Sequence, residues 1–300
     1  MSNLQTAADW LKKGKESFEN EQHESATEYY TKAIESGYEP LSSVYMKRAT
    51  SQHVEAKYEE SILDCDKSIE LDPDNAWAYL FRGSSKLKLM QNQEALLDFD
   101  KTIELNPDIE TCYFFRGSTK QNLEQYQEAI LDFDKTIELD ISNSMAYCGR
   151  GLSKKSLEQY QEAILDFDKA IELNPDYTEA YKIRGENNMS LKQYQEAIGD
   201  FDKAIAIDPN YAVAYNYRGV SKTVLGKYNE AILDFDKAID LEFNYLESYL
   251  FRGCCKSFLG KYQEAIADFE QVLRINPNTF EAKHEIEKAL SRLNQQQKKD

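Results

Sequence analysis

The sequence predicts an all-α chain, a solenoid of helix–turn–helix repeats closed by one further helix. Three observations predict it. The text repeats every 34 residues: LEQYQEAILDFDK fills 123–135 and again 157–169. Each period holds two stretches with apolar residues at the i, i+3, i+4, i+7 spacing of a helix face. Five of the six prolines, Pro73, Pro107, Pro175, Pro209 and Pro277, close periods in the same frame.

The period is carried by many residues at once. Arg-Gly pairs fall at 82–83, 116–117, 150–151, 184–185, 218–219 and 252–253, and tyrosines at 45, 79, 113, 147, 181, 215 and 249 keep the same step. A period of this length marks a repeat array, in which one module cannot bury its own apolar stripe and needs the next. Eight modules are expected, at 7–40, 42–75, 76–109, 110–143, 144–177, 178–211, 212–245 and 246–279, with one extra residue near Leu41. Repeat positions are numbered 1–34 within each.

In the first helix of a module, Tyr113, Arg116, Gly117 and Lys120 share one side. In the second, Ala129, Ile130, Phe133 and Ile137 do so, with Asp and Glu opposite. A polar LEQYQ link joins the two. The closing NPD or DPN stops the second helix, because proline lacks the amide proton and forces its predecessor out of the α region. The recurrent glycine at position 8 costs about 1 kcal/mol inside a helix, so a close approach by a neighbour is expected there. The first module diverges but keeps Trp10, Gly14, Ala26 and Ala33. A last helix over about 280–296 is expected to lay Ile286, Leu290 and Leu293 over the final apolar face as a cap, with 297–300 a polar tail.

With these residues in register, the chain resembles the tetratricopeptide repeat. The order aromatic, Gly, Ala-x-x-x-Phe and closing Pro carries the likeness over nearly the whole length. The resemblance implies antiparallel helix pairs stacked into a right-handed superhelix, with first helices lining the inner surface. It also implies protein–protein interaction.

Composition narrows the function classes. There are 36 basic and 53 acidic residues, a net charge of −17, which repels phosphate backbones and anionic lipid. No nucleic-acid or membrane partner is expected. No stretch approaches the roughly 18 apolar residues of a membrane span. The five cysteines show no C-x-x-C pair, so a cytoplasmic protein with reduced thiols is expected. The three histidines are scattered, and no metal-ligand spacing, phosphate loop or nucleophile elbow occurs. Neither an enzyme nor a cofactor is expected.

Two features of the first helix depart from the family pattern. Arginine stands at position 7 from Arg48 to Arg252, and lysine at position 11 in Lys86, Lys120, Lys154, Lys222 and Lys256. They share a face, so they read either as a basic stripe for an acidic or phosphate-rich ligand or as an internal ion-pair ladder. Aspartate at position 23 (Asp64, Asp98, Asp132, Asp166, Asp200, Asp234, Asp268) occurs in the same seven repeats as the arginine, and repeat 1 lacks both. That co-occurrence favours the ladder.

Second-helix positions barely change between repeats, whereas position 2 reads Ala8, Ser43, Trp77, Thr111, Met145, Glu179, Val213, Glu247. A uniform frame presenting a varied groove and neutral drift on an exposed face both fit. The expected groove residues are Trp77, Leu80, Phe81, Phe114 and Phe115 in one cluster, and Tyr217, Leu250, Phe251 and Phe258 in another. Gly149 is expected to leave a gap between them, and Lys155, Glu179, Lys182, Glu186 and Asn216 to give register to a peptide. These aromatics read alternatively as packing between neighbouring first helices. The carboxylate clamp of chaperone-binding relatives is absent: its positions hold Leu11, Lys15, Lys47, Trp77 and Phe81. No ladder of inner asparagines occurs either. The reading is a non-catalytic scaffold or adaptor holding a peptide segment, monomeric. The alternatives are a ligand-gated regulator and a self-associating assembly subunit.

Overall fold

The computed structural model describes residues 6–242 and 245–297. Seventeen α-helices and no strand lie among them. In repeats 1 to 4 the pairs are α1 (Ala7–Glu19) and α2 (His23–Glu35), α3 (Leu41–Val54) and α4 (Tyr58–Leu71), α5 (Ala76–Lys88) and α6 (Asn92–Leu105), α7 (Glu110–Asn122) and α8 (Tyr126–Leu139). Then come α9 (Ser144–Ser156) and α10 (Tyr160–Leu173), α11 (Thr178–Ser190) and α12 (Tyr194–Ile207). Last are α13 (Ala212–Val224) and α14 (Tyr228–Leu241), α15 (Leu246–Phe258) and α16 (Tyr262–Ile275), and α17 (Phe280–Gln297). Two compact units divide at Ser153/Lys154, within α9.

Within each unit the second helix of a pair packs on its own first helix and on the next one, as α4 does on α3 and α5, or α12 on α11 and α13. Successive first helices also pack on each other: α3 on α5 and α5 on α7 in one unit, α11 on α13 and α13 on α15 in the other. Among the described residues of each unit, no two second helices do so to a comparable extent. First helices therefore take the inside of the local curve, and the face they present is the recessed one.

The core is built around position 24. Phe99, Phe133, Phe201, Phe235 and Phe269 are fully buried, each worth about 1.5–3 kcal/mol of apolar burial. Their rings fill the space left by the position-8 glycine. A Cβ on Gly83 would stand 2.8 Å from Phe99, one on Gly219 2.7 Å from Phe235, and one on Gly253 2.6 Å from Phe269. The close neighbour inferred from the glycine is thus the ring carried by the paired helix. Repeat 2 makes the complementary choice: Cys65 replaces the ring, and Ala49 replaces the glycine, both fully buried.

Every turn between paired helices passes through the left-handed region at position 15. Glu21, Ala56, Met90, Glu124, Glu158 and Lys192 hold φ of 58–60°, and Gly226 and Gly260 hold 74° and 77°. The conformation costs a residue with a Cβ about 1–2 kcal/mol, and only the last two turns use glycine to avoid it.

The terminal helix α17 packs over the last apolar face, with Leu290 the one departure from the expected row. Ala282 and Ala289 are buried, and Ile286 packs against the cluster that holds Tyr249, Phe269 and Val272. Leu290 points outward and is exposed. The inward row is 282, 286, 289, and Leu290 stands one 100° step from Ala289. The helix runs to Gln297, and 298–300 lie outside the described residues.

Candidate functional site

The arginine–lysine stripe is consumed internally. The Arg82 guanidinium donates to Asp98 of its own repeat at 2.5 Å and to Asp66 of the preceding repeat at 2.6 Å. Lys86 adds a 2.7 Å contact to Asp98. The same arrangement joins Arg116 and Lys120 to Asp132 and Asp100, and Arg252 and Lys256 to Asp268 and Asp236. Each guanidinium also lies over the tyrosine one turn earlier, at 5.3 Å for Arg82 over Tyr79 and 5.6 Å for Arg116 over Tyr113. The acidic-ligand reading of the stripe fails here, because its charges are already neutralised.

The aspartate at position 25, which ties one repeat to the next, escaped the sequence reading. Its signal was present. From repeat 2 to repeat 7 a second aspartate stands at position 25, in DCD once and DFD thereafter, each time followed by an arginine-bearing repeat, and the triplet becomes DFE at Asp268–Glu270, ahead of α17. Repeat 1 offers Thr31 instead, which accepts from Arg48 at 3.0 Å. In place of its own ion pair, repeat 1 stacks Trp10 on Tyr29 at 5.8 Å, with Lys13 and Lys32 over Trp10 at 5.2 and 4.9 Å.

With the stripe removed, what remains on the first-helix face divides by unit. In the amino-terminal unit two clefts of about 340 Å³ adjoin, one lined by Lys15, Phe18, Tyr30 and Lys47, the other by Met46, Lys47, Trp77 and Phe81, with Thr50 common to both. Trp77 is 51% exposed, an aromatic of the kind that anchors partners. Lys15 and Lys47 make no ion pair within the described residues, and burial, with Lys15 nearby, holds Lys47 below the ordinary lysine range. Phe81 turns its edge to His53 at 5.9 Å. This is a partly apolar trough with two lysines that make no ion pair among the described residues and one carboxylate, Glu19, in its lining.

Several expected groove residues belong elsewhere. Leu80 is buried in the core with Phe99 and Ala95, because position 5 of repeat 3 faces the paired helix. Asn216 is buried and accepts from Ser248 at 2.9 Å. The gap expected at Gly149 is filled by the chain itself, since a Cβ there would lie 2.7 Å from Phe133. Phe115, Tyr217 and Phe251 stack on Phe99, Tyr217's neighbour Phe201, and Phe235 at 6.1, 5.7 and 6.0 Å. Position 6 is therefore half core, with one ring face spent on the preceding repeat. Phe114 packs on Phe133 at 5.9 Å, and Leu250 packs against the cluster of Tyr249 and Phe269. Phe258, at the end of α15, stacks on Tyr228 at 5.0 Å, away from the recessed face.

In the carboxy-terminal unit the polar companions satisfy one another. Lys182 sits between Glu179 at 2.7 Å and Glu186 at 3.3 Å, and Lys155 meets Glu186 at 2.5 Å. Burial pushes the Glu179 carboxyl up, but hydrogen bonds from Lys182 and from the Tyr211 hydroxyl outweigh it and leave the group below its ordinary value. The network is charge-balanced and holds α11 to its neighbours.

Family models described as tetratricopeptide repeat match residues 110–141, 144–177, 178–211 and 246–279. The chain is a tetratricopeptide-repeat protein. A curated relative, Protein SGT1 homolog of Oryza sativa subsp. japonica, is 36% identical over 83 residues, 28% of this chain, and the chain spans only 22% of that relative's length. Among solved structures, YrrB, titled a TPR protein with an unusual peptide-binding site, is 27% identical with TM-score 0.52, covering 61% of this chain and 95% of its own. A tetratricopeptide repeat protein from Parabacteroides merdae, 22% identical with TM-score 0.63 over 83% of this chain and 98% of its own, shows the fold alone.

Four of the five thiols of this tetratricopeptide-repeat chain are held in the protonated, weakly nucleophilic form by burial. Burial pushes Cys65, Cys112 and Cys254 each up to about 12. Cys255 is raised as well, again by burial. No described helix is long and apolar enough to cross a membrane.

Proposed function

We propose that this chain is a non-catalytic interaction scaffold, built of eight repeats and a capping helix within the bounds given above, that holds an extended segment of a partner protein. The segment lies along the recessed face of α1, α3 and α5. One observation carries the reading: two adjoining clefts share Lys47 and Thr50 and end on the exposed ring of Trp77. An apolar side chain on Trp77 and Phe81, and a carboxylate over Lys15 and Lys47, would meet complementary surfaces. The peptide-binding site named for YrrB supports the same class of ligand.

The test is selection of a random peptide library displayed on phage against the purified chain. Enriched peptides should combine an acidic residue with an aromatic or aliphatic one, and binding should fall about tenfold or more in Trp77→Ala and in Lys47→Glu. Enriched peptides that bind both variants as well as the parent chain would remove the proposal.

A further inference from the structure

Repeat 6 departs from its sister repeats at three places that converge on one notch. In repeats 3, 4, 5, 7 and 8 the position-11 lysine places Nζ 2.7–2.8 Å from Oδ2 of the position-23 aspartate. Repeat 6 has Asn188 there, whose Nδ2 donates to Asp200 at 2.9 Å. In repeats 2, 3, 4, 5 and 7 a leucine stands at position 22. Repeat 6 has Gly199, and a Cβ built on it would meet nothing within 4 Å. In repeats 2 to 5 the position-26 lysine pairs with a glutamate one turn on, as Lys101 does with Glu104 at 2.8 Å. Repeat 6 has Ala206 there, and Lys203 makes no ion pair within the described residues. Repeat 2 also lacks the position-11 lysine, having Gln52, but keeps Leu63.

The result is a cleft of about 570 Å³ between α10 and α12, over α11. Its floor is Arg184, bonded to Asp200 and to Asp168 at 2.5 Å each. Ile164 and Ile171 form an apolar wall. Two carboxylates against one guanidinium leave one negative charge that a lysine cancels in the sister repeats. Burial, more than Arg184 and Asn188 offset, holds the Asp200 carboxyl above its ordinary value. Glu196 and Lys203 also line the cleft and carry one formal charge of each sign.

We infer that this notch receives the side chain of a lysine from a partner protein, its alkyl stem along Ile164 and Ile171 and its ammonium at Asp200. The missing leucine opens the way in and the missing lysine leaves the charge uncompensated. The sister repeats show the filled form of the same site, with the chain's own ammonium on the same carboxylate oxygen. The notch lies on the second-helix side, so the inference stands or falls apart from the trough on the recessed face.

The test is NMR titration of the full chain, following the Asn188 side-chain amide and the Ile164 and Ile171 methyls. The probes are n-butylammonium, 1-butanol, a capped Gly-Lys-Gly peptide and putrescine. Saturable shifts are expected with butylammonium and the lysine peptide, and binding roughly tenfold or more weaker for butanol, which lacks the charge. Asn188→Lys with Gly199→Leu restores the sister-repeat residues and should abolish the shifts caused by the probes while the chain melts no earlier. Gly199→Leu alone, which leaves the Asp200 bonds intact, should weaken them. Equal shifts with butanol, no shifts at all, or shifts that survive the filled-in variant would overturn the site. Tighter binding of putrescine than of the peptide would overturn its assignment to a protein lysine.

Discussion

At the scale of single residues, the position-7 arginine does the most structural work. Arg116 satisfies two aspartates from two repeats and covers Tyr113. Its side chain is mostly buried, and Asp132 almost wholly so, so solvent screening is weak and removal strands a carboxylate away from water. Arg116→Ala should destabilise the chain by roughly 3–5 kcal/mol, measured by urea unfolding. A loss inside about 0.5 kcal/mol would show that Lys120 alone neutralises Asp132. Arg116→Lys should recover only part, since an ammonium cannot donate in two directions from a planar fork. The within-repeat half of this ladder was legible, because arginine and aspartate enter and leave the sequence together. The between-repeat half was legible too, in the second aspartate of DFD, but its partner lies in the next 34 residues and only the stacked helices bring it within reach. The left-handed turn residue was harder: glycine marks it at Gly226 and Gly260 only, and in the other six turns Glu, Ala, Met or Lys hides it.

At the scale of helices, faces follow the 3.6-residue period, and exposure does not always follow apolarity. Leu63, Leu97, Leu131, Leu165 and Leu233 are 62–70% exposed on the second helices, although their chemistry alone would place them inside. Conversely, Leu80 and Asn216 were expected in the groove and are buried. Positions 5 and 6 sit at the edge of the first-helix face, and the neighbour's side chain decides whether they are covered. The pairing of α3 with α5 carries a titratable contact. His53 bonds Ser85 at 2.9 Å, and burial, with Lys88 nearby, holds its ring below the ordinary 6.5. A lowered histidine value means that the unfolded chain binds the proton more readily, so the contribution is complete above about pH 6.5 and declines as the pH falls below it. The thermal midpoint should drop between pH 7 and 5.5 by more in the parent chain than in His53→Gln. Equal drops would remove His53 from the account.

At the scale of the whole molecule, the described helices within each compact unit pack mainly on those of adjacent repeats, so stability is approximately a sum of repeat and interface contributions. Amide exchange should be slowest in the second helices of interior repeats and fastest in α1 and α17, which have a neighbour on one side only. Ending the chain at Asn278 should uncover Val272, Leu273 and Ile275, speed exchange in α16, and raise dye binding to exposed apolar surface. Unchanged α16 protection would show that α17 is no cap. The sequence alone determined the period and the helix pairs, and it favoured an internal ion-pair ladder over a free basic stripe, because these features recur in register every 34 residues. Only the tertiary structure decided which aromatics remain open, that Lys15 and Lys47 share a cleft without an ion pair among the described residues, and that repeat 6 carries a notch. Those properties belong to departures from the repeat, and the consequence of a departure depends on what the adjacent helices place against it.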